Sequence, residues 1–364
     1  MNKSLLILSF AALALASCSD DEPLSTRRAV EEPISFRASM GNLSRATETT
    51  NANLASIYVT SFIGDETVPY FHDMEYAKGS DGFFSATGTA YVWPGDTSTL
   101  HFQSYAPSQD ALGADITMNG KELTLENYVT PELIADQVDF ITAEGSGTKK
   151  VNETAGVPLT FKHRLAQVEV RAKTDNTAYV YKVAGMRIGR PETTGSFSFA
   201  TNEWTLDDWH DTFVYESSCD TITLESTPAS VMGESGNAML IPQTLTAWMA
   251  KNDPDNVARG AYLSVALNIS TPEGVQIYPF PSDKIKDASG NPRKFAWASI
   301  PLSGTWEQGK KYIYILDFTD GAGNVDPDDP TPGEPVLGGA IKFTVNVEDW
   351  QEANIPTPMT PVVK

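Results

Sequence analysis

Apolar side chains in this 364-residue chain recur at every second position, in short runs ended by Pro or Gly, and hardly anywhere at helical spacing. Period two is what a half-buried strand demands, because successive side chains point to opposite faces of a sheet. Ile34, Phe36, Ala38 and Met40 share one face, with Ser35, Arg37 and Ser39 on the other. Ile341, Phe343, Val345 and Val347 alternate with Lys342, Thr344, Asn346 and Glu348, the pattern of a strand with one buried and one wet face. Tyr312, Tyr314, Leu316 and Phe318 alternate instead with Ile313, Ile315 and Asp317, which predicts a central strand. Phe161, His163 and Leu165 hold one phase and Val168 and Val170 the other, so a bulge is expected near Ala166. Asn119-Gly120, set between Ile116-Thr117-Met118 and Leu123-Thr124-Leu125, reads as a type I′ hairpin. Helical signal is confined to residues 131–135, with Thr130 as cap, and residues 243–251.

With 23 prolines and 26 glycines punctuating the chain at strand-like intervals, the expected fold is all-β, with two tandem β-sandwich domains and few short helices. The expected division is an N-terminal sandwich over residues 46–174 and a C-terminal sandwich with its tail over 175–364, the seam falling near Thr174, with Gly156 as the alternative. Residues 20–32, 144–156 and 320–339 have linker-like composition, and the last of these is expected to isolate the final strand.

The start of the chain sets the compartment. Lys3 precedes an apolar run from Leu5 to Leu15, and Leu15-Ala16-Ser17-Cys18 follows. The run is shorter than the roughly 20 residues a membrane-spanning helix needs, so residues 1–17 read as a secretory signal. Leu-Ala-Ser-Cys resembles the bacterial lipobox, which makes Cys18 the acylated N-terminus of the exported chain. Ser19-Asp20-Asp21-Glu22 resembles the acidic tag that directs Bacteroidetes lipoproteins to the outside of the outer membrane. With Cys18 acylated, Cys219 has no mate, and packing alone must hold the fold together.

Formal net charge is −21. Residues 1–45 hold Lys3, Arg27, Arg28, Arg37 and Arg45 against Asp20, Asp21, Glu22, Glu31 and Glu32, so the remainder carries the whole excess. Such a surface repels phosphate backbones, which argues against nucleic acid as a partner. His72, His101, His163 and His210 lack metal-ligand spacing, and His163 reads as a hydrogen-bonded core or edge histidine. No nucleophile elbow, phosphate loop or zincin motif is present, and no catalytic residue, cofactor or metal is expected. Asp207-Asp208 beside Trp204 and Trp209 reads as an exposed acidic turn. Residues 320–326 lack the glycine and closing glutamate of a calcium loop.

Several landmarks occur in an order that resembles the fimbrillin family, the type V pilins of Bacteroidales and their minor-fimbrium-like relatives. They are the lipobox, Ser44-Arg45-Ala46-Thr47, Trp93-Pro94-Gly95, Leu100-His101-Phe102-Gln103-Ser104-Tyr105-Ala106-Pro107, the run from Pro158 to Val170, Trp306 to Tyr314, and Val347-Glu348-Asp349-Trp350. The resemblance implies two transthyretin-like, Greek-key sandwiches and a structural role in adhesive surface fimbriae. It implies a lipid anchor in the outer membrane at first, then an arginine-specific or trypsin-like protease that cuts between Arg45 and Ala46. That cut would remove residues 18–45 with the first strand, whose apolar face is Ile34, Phe36, Ala38 and Met40. Other fimbrial subunits would then fill the gap by strand exchange, and a host or bacterial surface receptor is a further implied partner. Arg27 and Arg28 are the competing cut site. The tail residues Ile355, Met359 and Val363 alternate as a donor strand requires, and Ile341 to Val347 is the rival donor. A different reading is a lipid-anchored glycan-binding protein displaying Trp204, Trp209, Trp248 or Trp297.

Overall fold

A computed structural model describes residues 32–39, 49–50, 53–95, 97–207, 214–249, 259–329 and 331–349. The regular structure of the described chain is almost all β, as the period-two pattern requires, and the all-β sandwich expectation is borne out. An eight-stranded sheet runs in the order Lys162–His163, Ile141–Thr148, Thr99–Ala106, Ser56–Ile63, Phe71–Lys78, Phe84–Ala86, Phe36–Ser39 and Val157–Thr160. A second sheet runs Ala229–Ser230, Ala166–Lys173, Lys310–Asp317 and Lys342–Asp349, with Ala238–Leu240 also paired to Ala166–Lys173. A third is built on Val214–Thr223, Val180–Gly189, Tyr262–Ser270, Ala296–Pro301 and Asn324–Val325. A four-stranded sheet joins Asp115–Asn119, Glu122–Val129, Thr194–Ser198 and Glu203–Leu206.

Three apolar cores follow from these layers. One gathers Phe36, Ile57, Tyr76, Phe102 and Leu159 beneath the eight-stranded sheet. Another, between the second and third sheets, holds Val168, Val170, Met186, Val265 and Tyr314. The third clusters Tyr105, Leu125, Phe140, Phe197 and Met239 behind the four-stranded sheet. Tyr312, Ile313, Tyr314 and Leu316 are all buried in Lys310–Asp317, which has a neighbour on each side, so its predicted central position holds.

Several local expectations are corrected. The phase change near Ala166 is no bulge: the chain leaves the eight-stranded sheet after His163 and enters the second sheet at Ala166. The hairpin is present, but Asn119 pairs with Glu122, so the loop is Gly120-Lys121. Only Gly120 is left-handed there (φ 63), the sign pattern of a type II′ turn rather than I′. Residues 131–135 give only a 3₁₀ turn, Ile134–Asp136, with Leu133 rather than Thr130 at its N-cap. Gln243–Leu245 is a strand paired with Gly304–Trp306, not a helix; β-branched Thr244 and Thr246 suit that pairing. Residues 144–148 finish the strand Ile141–Thr148 and are not a linker. Residues 320–339 are not a spacer either, because Ala322, Val325, Asp326 and Val336 are buried and Asn324–Val325 pairs with Ala296–Pro301.

One close approach is easily tested. Gly189 stands across the ladder from Tyr262, and a Cβ there would lie 2.1 Å from the ring carbon Cζ. The ring cannot yield, because its hydroxyl donates to Asp328 Oδ2 at 2.7 Å and Arg190 lies 5.4 Å from its centroid. Gly189→Ala should therefore cost about 1–3 kcal/mol of overpacking strain, measurable as a lower urea midpoint. An unchanged midpoint would mean that the ring is free to move.

Candidate functional site

The opening strand Phe36–Ser39 occupies an interior slot of the eight-stranded sheet. On one side it pairs in parallel with Val157–Thr160, Phe36 against Val157 through Ser39 against Thr160. On the other side Phe36 pairs with Phe84. Just upstream, the Ile34 N–H donates to the Tyr91 carbonyl at 2.9 Å. The Val157 N–H donates to the Ser35 carbonyl at 2.9 Å, and the Phe161 N–H to the Ser39 carbonyl at 3.0 Å.

The apolar face predicted from the alternation is what the slot buries. Ile34 is 1% exposed and Phe36 0%, with Ala38 packed against the same core. The Phe36 ring meets Tyr76 edge-on at 4.8 Å and Phe102 edge-on at 5.0 Å. Arg37, on the opposite face, is exposed, with its guanidinium 4.2 Å over the Phe83 ring. Burial pushes the Tyr76 phenol well above its ordinary pKa, with Tyr91 and Tyr70 adding to the shift, and its buried hydroxyl has no hydrogen-bond partner. If the strand were withdrawn, the slot would expose an apolar floor and unpaired backbone groups on Val157–Thr160.

Of the sequence-predicted site residues, Ile34, Phe36 and Ala38 come together here. Cys18, Met40, Arg45, Ala46, Ile355, Met359 and Val363 lie outside the described residues, as do Arg27, Arg28 and Trp209. The chain resumes at Thr49, whose N–H donates to Asp139 Oδ2 at 3.1 Å. His163 Nδ1 lies 2.8 Å from the same oxygen, and the pair is buried, in keeping with the hydrogen-bonded histidine expected from sequence.

The strand Lys342–Asp349 departs from expectation. It forms an eight-residue antiparallel ladder with Lys310–Asp317 at the end of its sheet, yet every one of its residues is exposed. Phe343, Val345 and Val347, predicted to face a core, are 41%, 37% and 54% exposed. The exposure of this apolar face is what the sequence pattern missed.

Among the described residues, Trp204, Trp248 and Trp297 do not form a sugar platform. Trp248 is buried, and Trp204 is half-buried with its Nε1–H donating to the Arg164 carbonyl at 2.6 Å. Trp297 is covered by Arg187, whose guanidinium carbon lies 3.9 Å from the ring centroid. Among the described residues no three His, Cys, Asp or Glu side chains gather as a metal site, and no helix is long and apolar enough to cross a membrane.

The chain belongs to the fimbrillin-like family, whose profile matches residues 44–350, so the resemblance read from the sequence is borne out. Among solved structures, a fimbrial protein from Bacteroides vulgatus aligns with a TM-score of 0.57 at 15% identity, covering 88% of this chain and 100% of that one. A candidate cell adhesion protein from Bacteroides ovatus aligns with a TM-score of 0.50 at 15% identity, over 89% and 99% of the two chains. The fimbrial anchor protein Mfa2 from Porphyromonas gingivalis aligns with a TM-score of 0.33 at 10% identity, over 88% and 99%. No curated protein matches the chain.

Proposed function

We propose that this protein is a structural subunit, stalk or tip, of adhesive surface fimbriae, assembled by exchange of strands between neighbours. On this reading it is exported as a lipoprotein acylated on Cys18 and held at the outer membrane. An arginine-specific or trypsin-like protease then cuts between Arg45 and Ala46, in preference to Arg27 or Arg28. The observation that carries the reading is the interior position of Phe36–Ser39, with its apolar face buried and its chain connection to the body passing through residues 40–48. A cut there unties an interior strand and leaves Val157–Thr160 without its ladder partner.

The donor is Lys342–Asp349. Its apolar triplet Phe343, Val345, Val347 has the same every-second-residue spacing as Ile34, Phe36, Ala38. Leaving its own sheet, it gives up ladder hydrogen bonds that it regains in the slot of the next subunit. The apolar burial is the gain, roughly 2–5 kcal/mol for three half-exposed side chains. Ile355, Met359 and Val363 are then an extension of the donor rather than its core, since Pro356, Pro358 and Pro361 cannot donate to a ladder.

We divide the body into two tandem sandwiches. Support comes from one core drawn from Ile34 to Phe161 and another drawn from Ile134 and from Ala166 to Ile341. On that division Ala166–Lys173 goes with the second body, and the seam falls before Ala166 rather than at Thr174.

N-terminal sequencing of protein shed from intact cells tests the maturation step. The expected first residue is Ala46, in material that runs as a heat-resistant ladder on denaturing gels. Protein that keeps acylated Cys18 and stays monomeric would favour the anchored-lipoprotein reading instead.

A further inference from the structure

A polar cleft of about 880 Å³ opens where the chain crosses from the eight-stranded sheet to the second sheet. Thr160 and Lys162 line it from the first of these, Gln308 and Lys310 from the turn that enters Lys310–Asp317, and Asn202 from the turn between Thr194–Ser198 and Glu203–Leu206. Arg164 also lines it, although only 7% exposed. Its guanidinium is fixed in place. Nε donates to Thr142 Oγ1 at 2.7 Å, Nη2 donates to Asn202 Oδ1, and the guanidinium carbon lies 5.3 Å from the Phe197 ring centroid. Asn202 is held in turn: its backbone is left-handed (φ 58), its N–H donates to the Ser198 carbonyl at 2.9 Å, and its own carbonyl accepts from Gln308 Nε2 at 3.0 Å.

None of these contacts neutralises the charge. Among the described residues no carboxylate pairs with Arg164 or Lys162, and Arg164 Nη1 makes no hydrogen bond. Burial pulls the guanidinium pKa down to about 10, and Glu144, also on the lining, offsets only part of that. A nearly buried cation without a counter-ion is costly, so the arrangement calls for an anion from outside. Gln308 Oε1, buried as well, has no donor. Lys310, the remaining lysine of the lining, is ion-paired with Asp349.

We propose that this cleft binds an acidic saccharide, with Arg164 and Lys162 on its carboxylate and Thr160, Asn202 and Gln308 on its hydroxyls. Sugar hydroxyls both donate and accept, which matches a lining of amides and a threonine. The volume lies within the range of small-molecule sites. No tryptophan is among the lining residues, so charge and hydrogen bonds rather than stacking hold the ligand. A peptide adding as a strand would find only the two-residue edge Lys162–His163, too short for a ladder. A long polyanion is disfavoured by the chain's net charge of −21, so the ligand carries one carboxylate or a few. The inference rests on the adhesive reading above and gives it a receptor chemistry.

Calorimetric titration of the uncut full-length chain at physiological salt tests the site. The acidic probes are 3′-sialyllactose and a hyaluronan tetrasaccharide, which separate sialic from uronic acid, and lactose is the neutral control. The better acidic probe is expected to bind at least ~10-fold more tightly than lactose. Lys162→Gln should weaken it about 5-fold, and Asp349→Asn, which unpairs Lys310, should tighten it about 2–5-fold. Both side chains are exposed, so these variants keep the fold where Arg164→Gln could lose it. Neither acidic probe binding better than lactose overturns the site, and so does an affinity that ignores both variants. Tetraglutamate binding as tightly as the better sugar overturns the saccharide assignment in favour of an acidic peptide. The titration needs neither cleavage nor polymerisation. A chain that assembles without binding overturns this inference alone, and one that binds without assembling supports the site while the strand-exchange reading fails.

Discussion

A precursor carrying Phe36→Ala should unfold with about 3–5 kcal/mol less stability than the parent. The ring is fully buried, meets Tyr76 and Phe102 edge-on, and sits in a strand with a paired neighbour on each side, so the site has little room to collapse after truncation. Trp93 belongs to the same core, its ring 6.4 Å from Phe102, and its fluorescence in a urea titration would report the loss. The second half of the prediction is the sharper one. Once the chain has been cut and polymerised, residue 36 has left with its strand, and parent and variant fibres should resist denaturant equally. A deficit that persisted in the fibre would mean that the opening strand is never displaced.

Val345→Asp should have the opposite profile. The side chain is 37% exposed at the centre of a fully exposed strand, so the free chain should keep its stability to within about 0.5 kcal/mol. Protease-treated material should nonetheless fail to form the heat-resistant ladder. A carboxylate at the middle of the apolar triplet would have to be desolvated on a floor of Tyr76, Phe102 and Leu159. Truncation after Asp349, which removes Ile355, Met359 and Val363, should leave polymerisation in place. If the truncated chain stays monomeric while Val345→Asp assembles normally, the donor is the tail and not Lys342–Asp349.

Much of this architecture was readable from the alternation of side chains, and the failures have physical causes. Ile34-Phe36-Ala38 and the Tyr312 to Phe318 run were legible because a strand covered by a core leaves a strong period-two signature. The same signature at Phe343, Val345 and Val347 predicts burial, yet the three side chains are exposed. Alternation reports that one face is apolar, not that anything covers it, and a strand destined for another molecule looks the same as one destined for its own core. The segment from Asp320 to Gly339 has the composition of a linker because Asp, Pro and Gly dominate it. Its few apolar residues, Ala322, Val325 and Val336, are nevertheless buried, and Asp326 is held by a hydrogen bond from the Ser264 hydroxyl at 2.5 Å. For the Asp139–His163 pair, the sequence marks His163 as a hydrogen-bonded histidine but does not name its partner. Its members stand 24 residues apart, and Thr49 is 90 residues from Asp139, so only folding brings them together.

The parallel pairing between Phe36–Ser39 and Val157–Thr160 has a bearing on the shape of whatever is built from this chain. A slot whose one wall demands a particular running direction admits a replacement in one orientation far better than in the reverse. If neighbours exchange strands as proposed, each subunit would be threaded the same way round, and the fibre would have a polarity, like an arrow: one tip would end in an open cleft and the other in an unclaimed strand.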